Sequence, residues 1–96
     1  LIVVPEKYEA FMGETKLELT PKEFELLSLM VANQGKVFTR EALLEKVWGY
    51  EYSGDTRTVD VHIRHLRQKL NDDSNFPDYI ETVRGVGYRF VESRLK

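Results

Sequence analysis

Residues Asp55 to Leu70 read D-T-R-T-V-D-V-H-I-R-H-L-R-Q-K-L. Wound as a helix at about 100° per residue, they put Val59, Ile63, Leu66 and Leu70 on one narrow stripe. Such a stripe is a seam against a core. The opposite side carries Arg57, Thr58, Val61, Arg64, His65, Gln68 and Lys69, with no carboxylate among them, and Asp60 falls on a flank nearer the buried side. A solvated helix face normally mixes both signs of charge. A face of cations and neutral polar groups therefore points to a polyanionic partner. Arginine forks onto guanine or phosphate, and a small apolar residue such as Val61 touches a thymine methyl. The stretch reads as a DNA recognition helix.

The chain's 96 residues make one domain with a single core. No apolar run is long enough to span a membrane, and Leu1-Ile2-Val3-Val4 is too soon followed by Pro5, Glu6 and Lys7 to be a signal peptide. Cysteine is absent, which removes disulfides, thiolate metal sites and a thiol nucleophile, and a cytoplasmic protein is expected. The net charge of −2 argues against nucleic acid only as an average. The acids Glu6, Glu9, Glu14, Glu18, Glu23 and Glu25 crowd the front of the chain. Asp72, Asp73 and Asp78 sit in one later loop, whereas Arg57, Arg64, Arg67 and Lys69, then Arg84, Arg89, Arg94 and Lys96, make the back basic. A polarised chain of this kind binds a polyanion through a focused patch.

Taken in order, Leu1–Val4 and Tyr8–Met12 are short β-rich runs, and Thr15 to Leu19 alternates as a half-buried antiparallel strand. Thr20-Pro21-Lys22-Glu23 is a helix start: Thr20 caps, Pro21 suits the first position, Glu23 closes a capping box, and Leu19 with Phe24 makes a hydrophobic staple. This first helix runs to Asn33-Gln34-Gly35, where glycine stops it, and Lys36-Val37-Phe38 is a short extended link. Thr39 caps a second helix that continues to Trp48-Gly49. An aromatic loop, Tyr50-Glu51-Tyr52-Ser53-Gly54, leads to Asp55 as cap of the third helix. After the acidic Asn71–Asp78 loop, two aromatic and β-branched runs flank Arg84-Gly85-Val86-Gly87, which makes a hairpin. A hairpin with arginine at its tip, following a recognition helix, has the form of a wing.

At this point the chain resembles the OmpR/PhoB-type winged-helix effector domain of bacterial two-component response regulators. The resemblance rests on Leu19-Thr20-Pro21-Lys22-Glu23-Phe24-Glu25-Leu26-Leu27, on Thr39-Arg40-Glu41-Ala42-Leu43-Leu44, and on Val47-Trp48-Gly49. It continues through Asp55-Thr56-Arg57-Thr58-Val59-Asp60-Val61-His62-Ile63 with Leu66-Arg67, and closes on Thr82-Val83-Arg84-Gly85-Val86-Gly87-Tyr88-Arg89-Phe90. It implies an α+β winged helix-turn-helix over residues 1–96, with an N-terminal antiparallel sheet, three helices and a C-terminal β-hairpin wing. The helix at about 55–70 enters the major groove, and the wing at about 79–91 meets the minor groove. The family's sheet usually has four strands, of which three are legible, so a first strand is expected upstream of Leu1. The family's phosphorylated receiver domain has no counterpart in these residues. Tandem dimers on direct-repeat sites and a contact with RNA polymerase are implied partners.

The expected DNA-binding residues are Arg57, Thr58, Val61, His62, Arg64, His65, Arg67, Gln68, Lys69, Thr82 and Arg84. Arg64 and His65 are placed at base edges or nearby phosphates, Arg57 at a phosphate or a base. Arg67 either meets DNA or pairs with an acid such as Asp60. Thr82 either donates to a phosphate or fills a strand position, and Arg84 reaches into the minor groove. Trp48 is expected to bury its ring in the core, and the loop Trp48, Gly49, Tyr50, Glu51, Tyr52, Ser53, Gly54 is, by the resemblance, the polymerase contact. His62 and His65 lie one turn apart without a third ligand, so no metal is expected, and Gly85-Val86-Gly87 lacks the helix a nucleotide loop needs. No cofactor and no catalytic constellation are expected. The rival reading is a winged-helix scaffold that binds protein, which predicts an exposed apolar patch away from the third helix.

Overall fold

In the computed structural model, which describes residues 1–73, 75 and 77–92, the chain opens with β1 (Ile2–Val4), a single 3-10 turn at Pro5–Lys7, β2 (Glu9–Met12) and β3 (Thr15–Lys16). These strands form an antiparallel sheet in the order β1-β2-β3, with Val3 opposite Ala10 and Phe11 opposite Lys16. The third strand is shorter than its alternating sequence suggests. Thr15 and Lys16 are both exposed, and only the Leu17 N–H, 2.8 Å from the Ala10 carbonyl, extends the pairing. Leu17 and Leu19 still turn inward onto the core, because the pattern of apolar side chains survives even where the ladder stops.

Helix α1 (Pro21–Val31) starts as its sequence demands. The Thr20 hydroxyl accepts from the Glu23 N–H at 3.2 Å, and the Glu23 carboxylate accepts from the Thr20 N–H at 3.0 Å. Its far end comes earlier than Gly35. Asn33 turns its side-chain amide back onto the Leu29 carbonyl at 2.8 Å, and the chain leaves the helix before the glycine, which adopts φ +85°. The Phe24, Leu26, Leu27 and Met30 side chains are all buried.

The link expected at 36–38 is a strand, β4 (Val37–Thr39), which pairs antiparallel with β6 (Gly87–Phe90). β5 (Ile80–Val83) completes a second sheet in the order β4-β6-β5, so the wing is anchored on both sides of β6. Three residues carry too short a pattern to declare a strand whose partner lies about fifty residues away. Helix α2 (Arg40–Leu43) is capped by the Thr39 hydroxyl, which accepts from the Ala42 N–H at 3.0 Å, and it continues as a π-helical segment, Leu44–Trp48. Gly49, at φ +96°, ends it.

Helix α3 spans Arg57–Leu70. Thr56 stands at the cap position without a side-chain bond, whereas the carboxylate of Asp55, one residue earlier, accepts the Arg57 N–H at 2.9 Å. The predicted stripe holds: Val59, Ile63, Leu66 and Leu70 are at most 3 % exposed. They pack with residues of α1, α2, β4, β5 and β6 in one core. Burying side chains of this size is worth about 1.5–3 kcal/mol each. Of the loop that follows, residues 74 and 76 lie outside the described residues, as do 93–96, including Arg94 and Lys96. Asp72 is no free acid: its carboxylate accepts from the backbone of Asp78 and Ile80 at 2.7 and 2.8 Å, which sets the start of β5.

Candidate nucleic-acid interface

The outer face of α3 divides into free and engaged side chains. Arg64 and Gln68 are exposed, and among the described residues neither side chain has a hydrogen bond or ion pair. Val61, 38 % exposed, stands one turn before Arg64 on the same face, where a small apolar side chain is open to contact. Arg57 projects from the first turn and forks onto Asp55 at 2.8 and 3.1 Å, which holds that carboxyl below its ordinary value. Both side chains are mostly exposed, so the pair is weak and easily exchanged for another anion.

Thr58 and His62 turn away from the outermost line. The His62 Nδ1 donates to the Thr58 carbonyl at 2.7 Å, because a carbonyl only accepts, and the ring meets the Trp48 indole edge to face at 4.9 Å. His65 is exposed at its edge but stands 3.6 Å from the Glu23 carboxylate, and Lys69 reaches the same carboxylate at 2.6 Å. Glu23 is 3 % exposed and demands a counter-charge, so α1 draws the Lys69 ammonium away from the helix's outer face.

Arg67 does not pair with Asp60. It lies along the wing, donating to the Ile80 carbonyl at 2.8 Å and to the Thr82 hydroxyl at 2.8 Å, with its guanidinium 5.7 Å from the centre of the Tyr88 ring. Asp60 is taken by residues the sequence did not single out. Arg40 of α2 forks onto it at 3.0 and 2.6 Å, and the Tyr88 hydroxyl of β6 donates to it at 2.7 Å. Burial foremost, then the bond to Asp60 and its charge, push the Tyr88 phenol up to about 12, while Asp60 raises the Arg40 guanidinium further. Their one trace in the sequence is Asp60 itself, an acid on the flank of an otherwise cationic helix.

At the wing, Arg84 is exposed at the turn with no bonded partner among the described residues, beside Gly85 at φ +75° and an exposed Val86. The Arg89 guanidinium is spent on Glu81 across the strands at 2.6 Å. At the end of the π-helical segment, where the loop before α3 begins, Trp48 is half-buried against the core, 6.3 Å from the Tyr52 ring. Tyr52 lies so close over Gly54 that a side chain there would collide with it. Glu51, Ser53 and Gly54 are exposed, and Tyr50, 86 % exposed, is the most open large side chain of the loop. Among the described residues no three acidic or histidine side chains converge as a cation site, and no helix is long and apolar enough to cross a membrane.

The model of the family described as "Transcriptional regulatory protein, C terminal" matches residues 13–90. The chain belongs to this family. It is 50 % identical over 95 residues to the alkaline phosphatase synthesis transcriptional regulatory protein PhoP of Bacillus subtilis (strain 168). That match takes in 99 % of the chain and 40 % of the relative, so the chain spans about two fifths of that protein's length. The RstA DNA-binding domain of Klebsiella pneumoniae, solved in complex with its RstA box, superposes with a TM-score of 0.83 at 35 % identity, over 93 % of this chain and 88 % of that one. The AdeR response-regulator DNA-binding domain, solved with an intercistronic region, gives 0.81 at 30 % identity, over 96 % and 94 %. The three helices and the β5–β6 hairpin are thus those of a winged-helix effector domain of the OmpR/PhoB type.

Proposed function

We propose that this domain binds double-stranded DNA sequence-specifically and regulates transcription, as the output domain of a phosphorylation-controlled two-component response regulator. One observation carries the reading. Across the outer face of α3 the exposed residues Arg57, Val61, Arg64, His65 and Gln68 include no acid, and among the described residues Arg64 has no bonded partner. An unpaired arginine on a rigid helix is prepared for a guanine edge or a phosphate at little ordering cost. Related domains solved with DNA support the assignment.

In this reading α3 lies in the major groove. Arg64, His65 and Val61 face base edges or nearby phosphates, Arg57 exchanges Asp55 for a phosphate, and Thr58, His62 and Gln68 border the contact. Arg84 enters the minor groove, with Thr82 at the adjoining phosphate. Arg67 and Lys69 act mainly through Thr82 and Glu23, which they already hold. The loop 48–54, with Tyr50 at its tip, is the surface offered to RNA polymerase, and two domains sit in tandem on direct-repeat sites. The domain is no enzyme, and its place is the bacterial cytoplasm.

The test is selection of duplexes from a random library at fixed salt, with Arg64→Ala in parallel. Enrichment of a motif by the wild type that the variant loses supports the reading, as does an affinity falling steeply with salt. No enrichment by the wild type at any salt concentration would sink it in favour of a protein-binding scaffold.

A further inference from the structure

Besides the β4–β6 pairing, the shared core and the Asp72 carboxylate on the Ile80 N–H, two side chains of α3 itself tie the wing to that helix. Near the start of the helix, Asp60 accepts from the Tyr88 hydroxyl at 2.7 Å, while Arg40 forks onto both of its oxygens at 3.0 and 2.6 Å. Near its end, Arg67 donates to the Ile80 carbonyl and the Thr82 hydroxyl, both at 2.8 Å. Asp60 and Arg67 are two helical turns apart, roughly 10 Å along the axis. The β4–β6 pairing holds the base of the hairpin, and two fixings on one helix face narrow its remaining freedom to turn relative to α3. We infer that Asp60 is a positioning residue, which with Arg67 sets the angle between α3 and the wing and so decides where Arg84 falls on DNA read by α3. This rests on the reading of α3 and the wing as two parts of one DNA interface.

Charge makes Asp60 unusual. It is an acid on the one helix whose outer face is otherwise cationic, and on electrostatic grounds alone it opposes a polyanion. Its cost is offset only if it does something that a neutral residue would not. Its bonds are charge-assisted and short, and they join α2, α3 and β6 through a single carboxylate. Tyr88 also lies between the two anchors, its hydroxyl on Asp60 and its ring under Arg67, so the anchors are mechanically continuous.

The experiment is a double-mutant cycle of Asp60→Ala and Arg84→Ala on affinity for the duplex that the wild type selects. It is joined to residual dipolar couplings of α3 and β6 amides, measured without DNA. Arg84→Ala is expected to weaken the wild type about tenfold and the Asp60→Ala background less than about threefold, since a misplaced wing has little left to lose. The couplings should fit each element unchanged but require a new angle between them. Asp60→Asn, which keeps an acceptor for Tyr88 but loses the charge and one of the two oxygens that hold Arg40, should restore only part of the cycle. Equal losses from Arg84→Ala in both backgrounds, or an unchanged angle, would overturn the inference, because a merely stabilising Asp60 moves neither. Should Asp60→Ala fail to fold, Tyr88→Phe removes only the hydroxyl and enters the same cycle. If Arg84→Ala costs the wild type nothing, the DNA reading of the wing falls, and the DNA-free couplings alone decide whether Asp60 sets the angle.

Discussion

The Lys69 ammonium lies 2.6 Å from the Glu23 carboxylate, across 46 residues of chain. Glu23 is at once the third residue of α1, the closing half of its capping box and the buried partner of a lysine on α3. One carboxylate therefore starts one helix and docks another. A glutamate is rarely found this deep unless paired, and Lys69, itself partly in solvent, brings its ammonium to meet it.

Burial pushes the Glu23 carboxyl up, but the Lys69 bond, the Thr20 N–H and the charges of Lys69 and His65 outweigh it, so its value is lowered from 4.5. A folded-state value below the unfolded one means stability that is present above the ordinary value and lost as pH falls through the folded one. Glu23→Gln should cost about 1–3 kcal/mol at neutral pH and flatten the acid limb of the stability curve. Urea unfolding at a series of pH values measures both; an acid limb identical to the wild type's would remove Glu23 from the account.

Arg64→Ala and Lys69→Ala should separate cleanly. The first is expected to weaken binding to the selected duplex by about 1–3 kcal/mol with an unchanged unfolding midpoint. The second should lower the midpoint, since it strands Glu23, and leave affinity nearly as it was. Anisotropy titration beside thermal unfolding reads both, and a larger affinity loss for Lys69→Ala would return that residue to the groove.

Tyr88 should resist ionisation. With its phenol raised from 10.0 to about 12, the neutral form stabilises the fold below the ordinary value, and this contribution is lost as pH climbs toward 12. Asp60→Asn removes the charge but leaves the burial, so Tyr88 should titrate between 10.0 and 12 in that variant. Phenolate absorbance against pH follows it, with Tyr88→Phe identifying the band.

Gly85 and Gly87 stand two residues apart and should fail for different reasons. Gly85 has open space around it and φ +75°, so Gly85→Ala pays only for a left-handed residue, about 1–2 kcal/mol. A side chain at Gly87 would collide with the Phe38 carbonyl and come within 2.9 Å of the Thr39 Cα, so Gly87→Ala must push β4 off β6. Amide exchange should rise across β4 in the second variant alone.

What is local in this protein was legible in its sequence. The stripe Val59, Ile63, Leu66, Leu70 needs only the helical period, and the Thr20–Glu23 capping box needs only four residues. Asp55 as the cap of α3 was off by one: Thr56 holds that position, and Asp55 accepts the Arg57 N–H from one residue earlier. Where pattern and ladder come apart, as in Thr15–Leu19, alternation correctly placed Leu17 and Leu19 inward but overstated the strand.

The sequence by itself determined three helices, a hairpin and a cationic helix face, because periodicity, caps and turns act over a few residues. Only the tertiary structure decided which cations on that face are free. Lys69 is drawn to Glu23, Arg67 to Ile80 and Thr82, and Asp60 to Arg40 and Tyr88, at separations of 13 to 46 residues. Packing the core places those elements side by side, and a buried or half-buried charge then takes whatever partner packing sets within reach.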